Sequence, residues 1–211
     1  MPVDAPLYPA NLVIDGWRCL VVGGGRVASR KADGLLACGA LVTVVAPEVA
    51  PELAARPGVS VEARPFRAGD TRGHRLAIAA AGDPAVNAAV YADGEANGVL
   101  VNAADDPAHC AFTLPAVVRR GPLMITVSTG GHSPALATWM RRQFETEIGP
   151  EYDTLLELLV EERRRVQAAG VATEDLDWQK ALDSDMLGLI RAGEVQLARE
   201  RLQACLSSPS A

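Results

Sequence analysis

With 211 residues, 49% of them apolar, the chain can bury one sizeable core and a smaller second one, which suits a nucleotide-binding domain with an appendage. A formal net charge of −6 and an aromatic content of 4% argue against a nucleic-acid surface, which needs clustered cations and stacking rings. No run approaches the roughly 18 to 20 unbroken apolar residues of a membrane span, and "MPVDAPLYPANL" lacks the basic and apolar regions of a secretory signal, so a cytoplasmic protein that meets no membrane is expected.

Short Val-rich runs then alternate with Ala-rich segments of helical length. Arg18–Gly24, "RCLVVGG", reads as a first strand, Arg26–Gly39 as a helix closed by Gly39, and Leu41–Pro47 as a second strand stopped by its proline. Ser60–Phe66 reads as a short third strand and His74–Gly82 as a fourth, followed by a helix over Asp83–Gly98 and a fifth strand over Val99–Asp105. That rhythm predicts an α/β, Rossmann-type parallel sheet wrapped by helices on both faces. Beyond it come a strand-like Pro122–Thr129 and a helix over Ser133–Ile148. On that helix Leu136, Met140, Phe144 and Ile148 recur at every fourth position, a stripe suited to a core or a subunit contact. From Glu151 the texture is strand-free, acidic and helical, over Tyr152–Val166 and Asp183–Leu206. A domain change is therefore expected between Thr113 and Pro150, and a frayed end over 207–211. Cys19, Cys38, Cys110 and Cys205 stand far apart without a C-x-x-C pair, the pattern of reduced, mostly buried thiols.

Gly23, Gly25 and Ala28 stand at G-x-G-x-x-A spacing between the first strand and the first helix. The first glycine permits the tight turn, the second lets a pyrophosphate lie against main-chain N–H groups, and Ala28 lets the helix close on the strand. The helix N-terminus adds partial positive charge. The flanking strand and helix favour a dinucleotide over a purely structural turn. The acid that grips the ribose hydroxyls is missing at the end of the second strand, where Ala46-Pro47 stands with Glu48 beyond, so the choice between NAD and NADP stays open.

The fifth strand delivers "VNAADDPAHCAF" to the carboxyl edge of the sheet, where ligands of open α/β folds bind. Asp106-Pro107 fits an N-cap followed by the first helical residue, which leaves Asp105 without a structural task. An acid/base or metal-directed carboxylate and a solvated turn residue are both open readings for it. His109 and Cys110 lack a second ligand pair at metal spacing, so a metal site is not expected. Farther on, Gly130-Gly131 with Ser128, Thr129 and His132 precede Ser133-Pro134 as N-cap and first helical residue, a second helix start fitted to anions. Arg119-Arg120 and Arg141-Arg142 flank this loop with positive charge suited to a carboxylate-rich ligand, whereas Arg163, Arg164 and Arg165 follow Glu161-Glu162 as a solvated helix face.

Together, "LYPANLVIDGWRCLVVGGGRVASRK", "LVTVVAP" and "VNAADDPAHCAFTLPAVVRRGPLMITVSTGGHSPALATWMR" resemble the precorrin-2 dehydrogenase and sirohydrochlorin ferrochelatase family, which includes the N-terminal module of siroheme synthase. The likeness runs from Leu7 to Glu147 and is weaker beyond. It implies NAD-dependent oxidation of precorrin-2 to sirohydrochlorin, on the route to sirohaem and in some organisms cobalamin. It also implies a homodimer with an NAD-binding domain over 1–113, a dimerisation and substrate-cleft region over 114–150 and a small all-helical domain over 151–211. By the same resemblance, Gly23, Gly24, Gly25, Arg26, Val27, Ala28, Ala46, Pro47 and Ala81 meet the cofactor. Many relatives carry threonine where Ala81 stands, and the missing second-strand acid is a family trait. Asp105, reached through Asn102 in an N-x-x-D pattern, is the implied catalytic acid. Asn102, Ser128, Thr129, Gly130, Gly131, His132, Arg119 and Arg120 are the implied substrate contacts, and Ser128 matches a position phosphorylated in some relatives. Some members also insert ferrous iron, a second activity the sequence leaves open. Two rivals stay in view: a noncatalytic dinucleotide-sensing module, which has no use for the serine–glycine loop, and a chelatase, which needs no NAD.

Overall fold

The computed structural model describes residues 6–207; the frayed end expected over 207–211 lies, from Ser208 on, outside them. Two compact units emerge among them, one running up to Leu114 with Thr129–Ser133, the other Pro115–Ser128 with the residues from Pro134 on.

The first unit holds β1 (Arg18–Val22), β2 (Leu41–Ala46), β3 (Val59–Ala63), β4 (Leu76–Ala79) and β5 (Leu100–Ala103). They form one parallel sheet in the order β3-β2-β1-β4-β5. Side chains alternate between its faces. Cys19, Val21, Val42, Val44 and Ile78 pack with Ala28, Ala32 and Leu35 of α1 (Arg26–Leu36), while Leu20, Val22, Ala77, Ala79 and Val101 pack with Val90 of α3 (Pro84–Asn97). Burial on both faces is why β1 and β4 read as unbroken apolar runs rather than as alternation. A single-turn α2 (Pro51–Ala54), unforeseen in the sequence, follows β2. The helix α1 stops at Leu36, short of the expected Gly39, whose N–H still donates to Leu36 O at 2.9 Å. At α3 the caps are as the residue types dictate: Asp83 accepts from Ala85 N–H at 2.8 Å, and Gly98 closes the helix in the left-handed region.

In the second unit β6 (Ala116–Arg120) and β7 (Leu123–Val127) form an antiparallel hairpin, followed by α4 (Pro134–Glu147), α5 (Glu151–Ala168), α6 (Trp178–Leu182), α7 (Met186–Arg191) and α8 (Val195–Ser207). The long helical stretch expected over 183–206 is broken by a turn at Gly193. Leu155, Leu158, Met186, Ile190, Leu202 and Cys205 make this unit's core. The stripe on α4 is not part of it: Leu136 is 47% exposed, Met140, Phe144 and Ile148 are half-buried, and the helix's one fully buried residue is Ala137. Residues 115–128 and 134–150 form one unit with 151–207, and β7 packs on α5.

Candidate active site

The turn after β1 is set by main-chain crowding. Gly23 sits at φ +128°, and a Cβ there would run into the carbonyl of Ala80. At Gly24 a Cβ would run into the carbonyl of Glu48, while its own oxygen accepts from Ala50 N–H at 2.9 Å. Gly25 has nothing within 4 Å of a built Cβ. It is the N-cap of α1 and brings no side-chain cap, so the first-turn N–H groups face outward with their partial positive charge. Ala28 is fully buried beneath the turn and lets α1 close on the sheet.

A cleft of about 620 Å³ runs along this turn, lined by Gly23, Gly25, Arg26, Val27, Ala81 and Asp105 among others. It opens at the carboxyl edge between β1 and β4, where the strand order reverses, the place where open α/β sheets bind ligands. A second cleft of about 450 Å³ shares Gly23, Ala81 and Gly82 with it and is walled by Ala46, Pro47, Pro65, Phe66 and Val86. A diphosphate over the glycines, with one ring-bearing half in each cleft, is what this shape accepts. The residues fit a dinucleotide also because a side chain at Gly25 would fill the phosphate's space. Glu48 lines neither cleft; Asp83 lines the second, but its carboxylate is the cap of α3. Phe66 and Asn87 were not singled out in the sequence. Asn87, 6% exposed, accepts from Ala81 N–H at 3.0 Å and donates to Ala81 O at 3.1 Å, which fixes the wall between the clefts. A buried amide four residues into a helix leaves no periodic signature.

Asp105 is exposed on the larger cleft and is the one non-glycine among the described residues with positive φ, +61°. Aspartate tolerates that region better than most residues. Three of the expected residues have partners that the sequence did not suggest. Asp106 stands at the N-cap position of a three-residue 3-10 turn, Pro107–His109, yet caps no N–H; its carboxylate instead takes His109 Nδ1 at 2.6 Å. Asn102, expected to meet substrate, is 6% exposed and donates to Phe112 O at 2.8 Å, pinning the chain's return along β5. Arg120, expected as a docking cation, donates to Ile148 O at 2.7 Å and Glu145 O at 2.9 Å, closing the C-terminus of α4.

Thr129–Ser133 form a self-bonded turn: Ser133 N–H donates to Thr129 Oγ1 at 3.1 Å, and His132 Nδ1 reaches Thr129 O at 3.0 Å. Gly130 and Gly131 carry positive φ there. Ser128 and Arg119 are exposed. Arg141 pairs with Glu145 along α4. Lys31, on α1, is half-buried. Burial and the neighbouring Arg30 push its ammonium below the ordinary lysine range, against the opposing pull of Asp105 and Cys110. Burial likewise pushes the Cys110 thiol up. All four cysteines are free, and among the described residues no group of three or more His, Cys, Asp or Glu side chains could hold a metal ion.

Sheet order, glycine turn and twin clefts define a dinucleotide-binding protein of the Rossmann type. A family model described as putative NAD(P)-binding matches residues 11–116, and one described as the central part of a sirohaem biosynthesis protein matches residues 120–147. The chain belongs to the first of these families and binds a nicotinamide dinucleotide. It is 37% identical over 203 residues to the siroheme synthase of Nitrosococcus oceani, spanning 94% of this chain and 43% of that protein. To the siroheme synthase of Chromobacterium violaceum it is 39% identical over 210 residues, spanning 97% and 44%. The chain thus spans less than half the length of these curated relatives. The solved structure of SirC, a precorrin-2 dehydrogenase, superposes with a TM-score of 0.73 at 28% identity, covering 94% of this chain and 98% of that one.

Proposed function

We propose that this chain oxidises precorrin-2 to sirohydrochlorin with NAD, in sirohaem biosynthesis. The observation that carries the reading is the presence of the glycine turn and Asp105 on one cleft, in a chain whose solved neighbour at near-full coverage is a precorrin-2 dehydrogenase. Bound over the turn, the dinucleotide supplies the hydride acceptor. The chain's own residues hold and orient it: the amides of Gly24 to Val27 with the Arg26 guanidinium on the diphosphate side, and Ala46, Pro47 and Phe66 around the adenosine half. Oxidation at a bridging carbon of the macrocycle also releases a proton, and Asp105 accepts it at a carboxylate oxygen. Ser128 and the Thr129–His132 turn, with Arg119, are the docking groups for the substrate's carboxylates; Asn102 and Arg120 are not among them, for the reasons above.

The working form is a cytoplasmic homodimer. In support, Trp139 and Leu136 leave 59% and 47% of their surface exposed on α4, and no helix of the described residues is long and apolar enough to cross a membrane. Light scattering that reads one copy at micromolar concentration would remove the dimer from the account. The activity is tested by following absorbance of NADH and of sirohydrochlorin together after mixing protein, NAD and precorrin-2. One NADH per sirohydrochlorin is expected. NAD binding without either product would favour the sensing module, and metal insertion into sirohydrochlorin with no NADH formed from precorrin-2 would favour the chelatase.

A further inference from the structure

We propose that Lys31 is a substrate-docking cation, receiving a carboxylate of the bound macrocycle at the Asp105 end of the cleft; this rests on the dehydrogenase reading above. Lys31 lies one helical turn beyond Val27, which lines the cleft, so the two share a face of α1. It is half-buried, yet among the described residues its ammonium has neither a hydrogen bond nor an ion pair. A partly desolvated cation without an acceptor is costly unless a ligand completes it.

Its surroundings say which part of a ligand that is. Lys31 stands five residues of helix, about 7.5 Å along the axis, beyond Arg26 at the phosphate turn. The acid in its field is Asp105, with Arg30 the neighbouring cation. A polycarboxylate macrocycle must approach Asp105 and Asp106, both on the cleft wall, against like-charge repulsion. A cation in the field of Asp105 offsets that repulsion and holds the ring on the proton-accepting side.

The test compares wild type, Lys31→Met, Lys31→Arg and Arg164→Met, the last removing an exposed cation far along α5. Two quantities are read: KM and kcat for precorrin-2 with saturating NAD, and the Kd of sirohydrochlorin by fluorescence titration. Lys31→Met is expected to raise both KM and Kd about tenfold, with NAD affinity, thermal midpoint and kcat held; Lys31→Arg recovers most of the loss, and Arg164→Met changes nothing. If Lys31→Met binds sirohydrochlorin like wild type, or loses NAD instead, the assignment is overturned while the dehydrogenase reading stands. If wild type itself neither binds sirohydrochlorin nor forms NADH with precorrin-2, that reading falls and this inference with it.

Discussion

Three consecutive glycines do three different jobs in the turn after β1, and the difference is measurable. A Cβ at Gly24 meets main chain, the Glu48 carbonyl, which cannot swing aside. Gly24→Ala should therefore destabilise the fold by about 1–3 kcal/mol, read as a lower unfolding midpoint, and weaken NAD binding as a consequence. Gly25 has open space and an extended φ of −91°, so Gly25→Asp should keep the wild-type midpoint. It should still lose at least about tenfold in NAD affinity by placing an anion against the diphosphate. Calorimetric titration with parallel melting separates the two, and a Gly25→Asp protein that binds NAD normally would refute the placement of the phosphates. A second single-residue effect belongs to His74, whose two ring nitrogens are buried with no hydrogen-bond partner among the described residues. Burial and then the Arg18 charge hold its pKa below the ordinary 6.5. The folded state thus prefers the neutral ring: this contribution is complete above the unfolded pKa of about 6.5 and shrinks as pH falls from there toward the lower folded value. Urea melts from pH 7.5 to 5 should show stability falling on the acid side, and His74→Phe should flatten that slope; an unchanged slope would contradict the assignment.

Among the elements, those whose pattern and caps agree were legible: β1, α1, β2, β4, α3 and β5 follow from apolar runs, Asp83-Pro84 and Gly98. What the sequence hid was set by tertiary context. β6 ends in two arginines that look like a solvated loop, yet Arg120 crosses to the last carbonyls of α4. Arg120→Ala should leave those carbonyls unanswered and cost about 1–3 kcal/mol, seen as a lower unfolding midpoint with NAD affinity intact; loss of NAD binding instead would mean Arg120 has another role. Asp106-Pro107 gave the right position but the wrong partner, because a three-residue 3-10 turn offers little to cap and His109 lies within 2.6 Å. Asn102 shows the limit of a motif: N-x-x-D spacing is visible in one dimension, whereas the carbonyl of Phe112 that occupies Asn102 comes from the chain's return.

At the scale of the whole molecule, a parallel sheet with its order reversing between β1 and β4 brings the phosphate turn and the end of β5 to one cleft, and the activity is assigned to that meeting. The glycine fingerprint was readable because three residues in a row must be small; Phe66 was not, since it reaches the second cleft from a segment whose own pattern reads as ordinary strand. Asp105→Asn tests the central claim most directly, because asparagine keeps the size and also tolerates the left-handed φ of +61°. Single-turnover mixing of the NAD-loaded variant with precorrin-2 should show NAD affinity within about twofold of wild type and NADH formation slowed by about 100-fold or more. Wild-type NADH formation by Asp105→Asn would contradict the account.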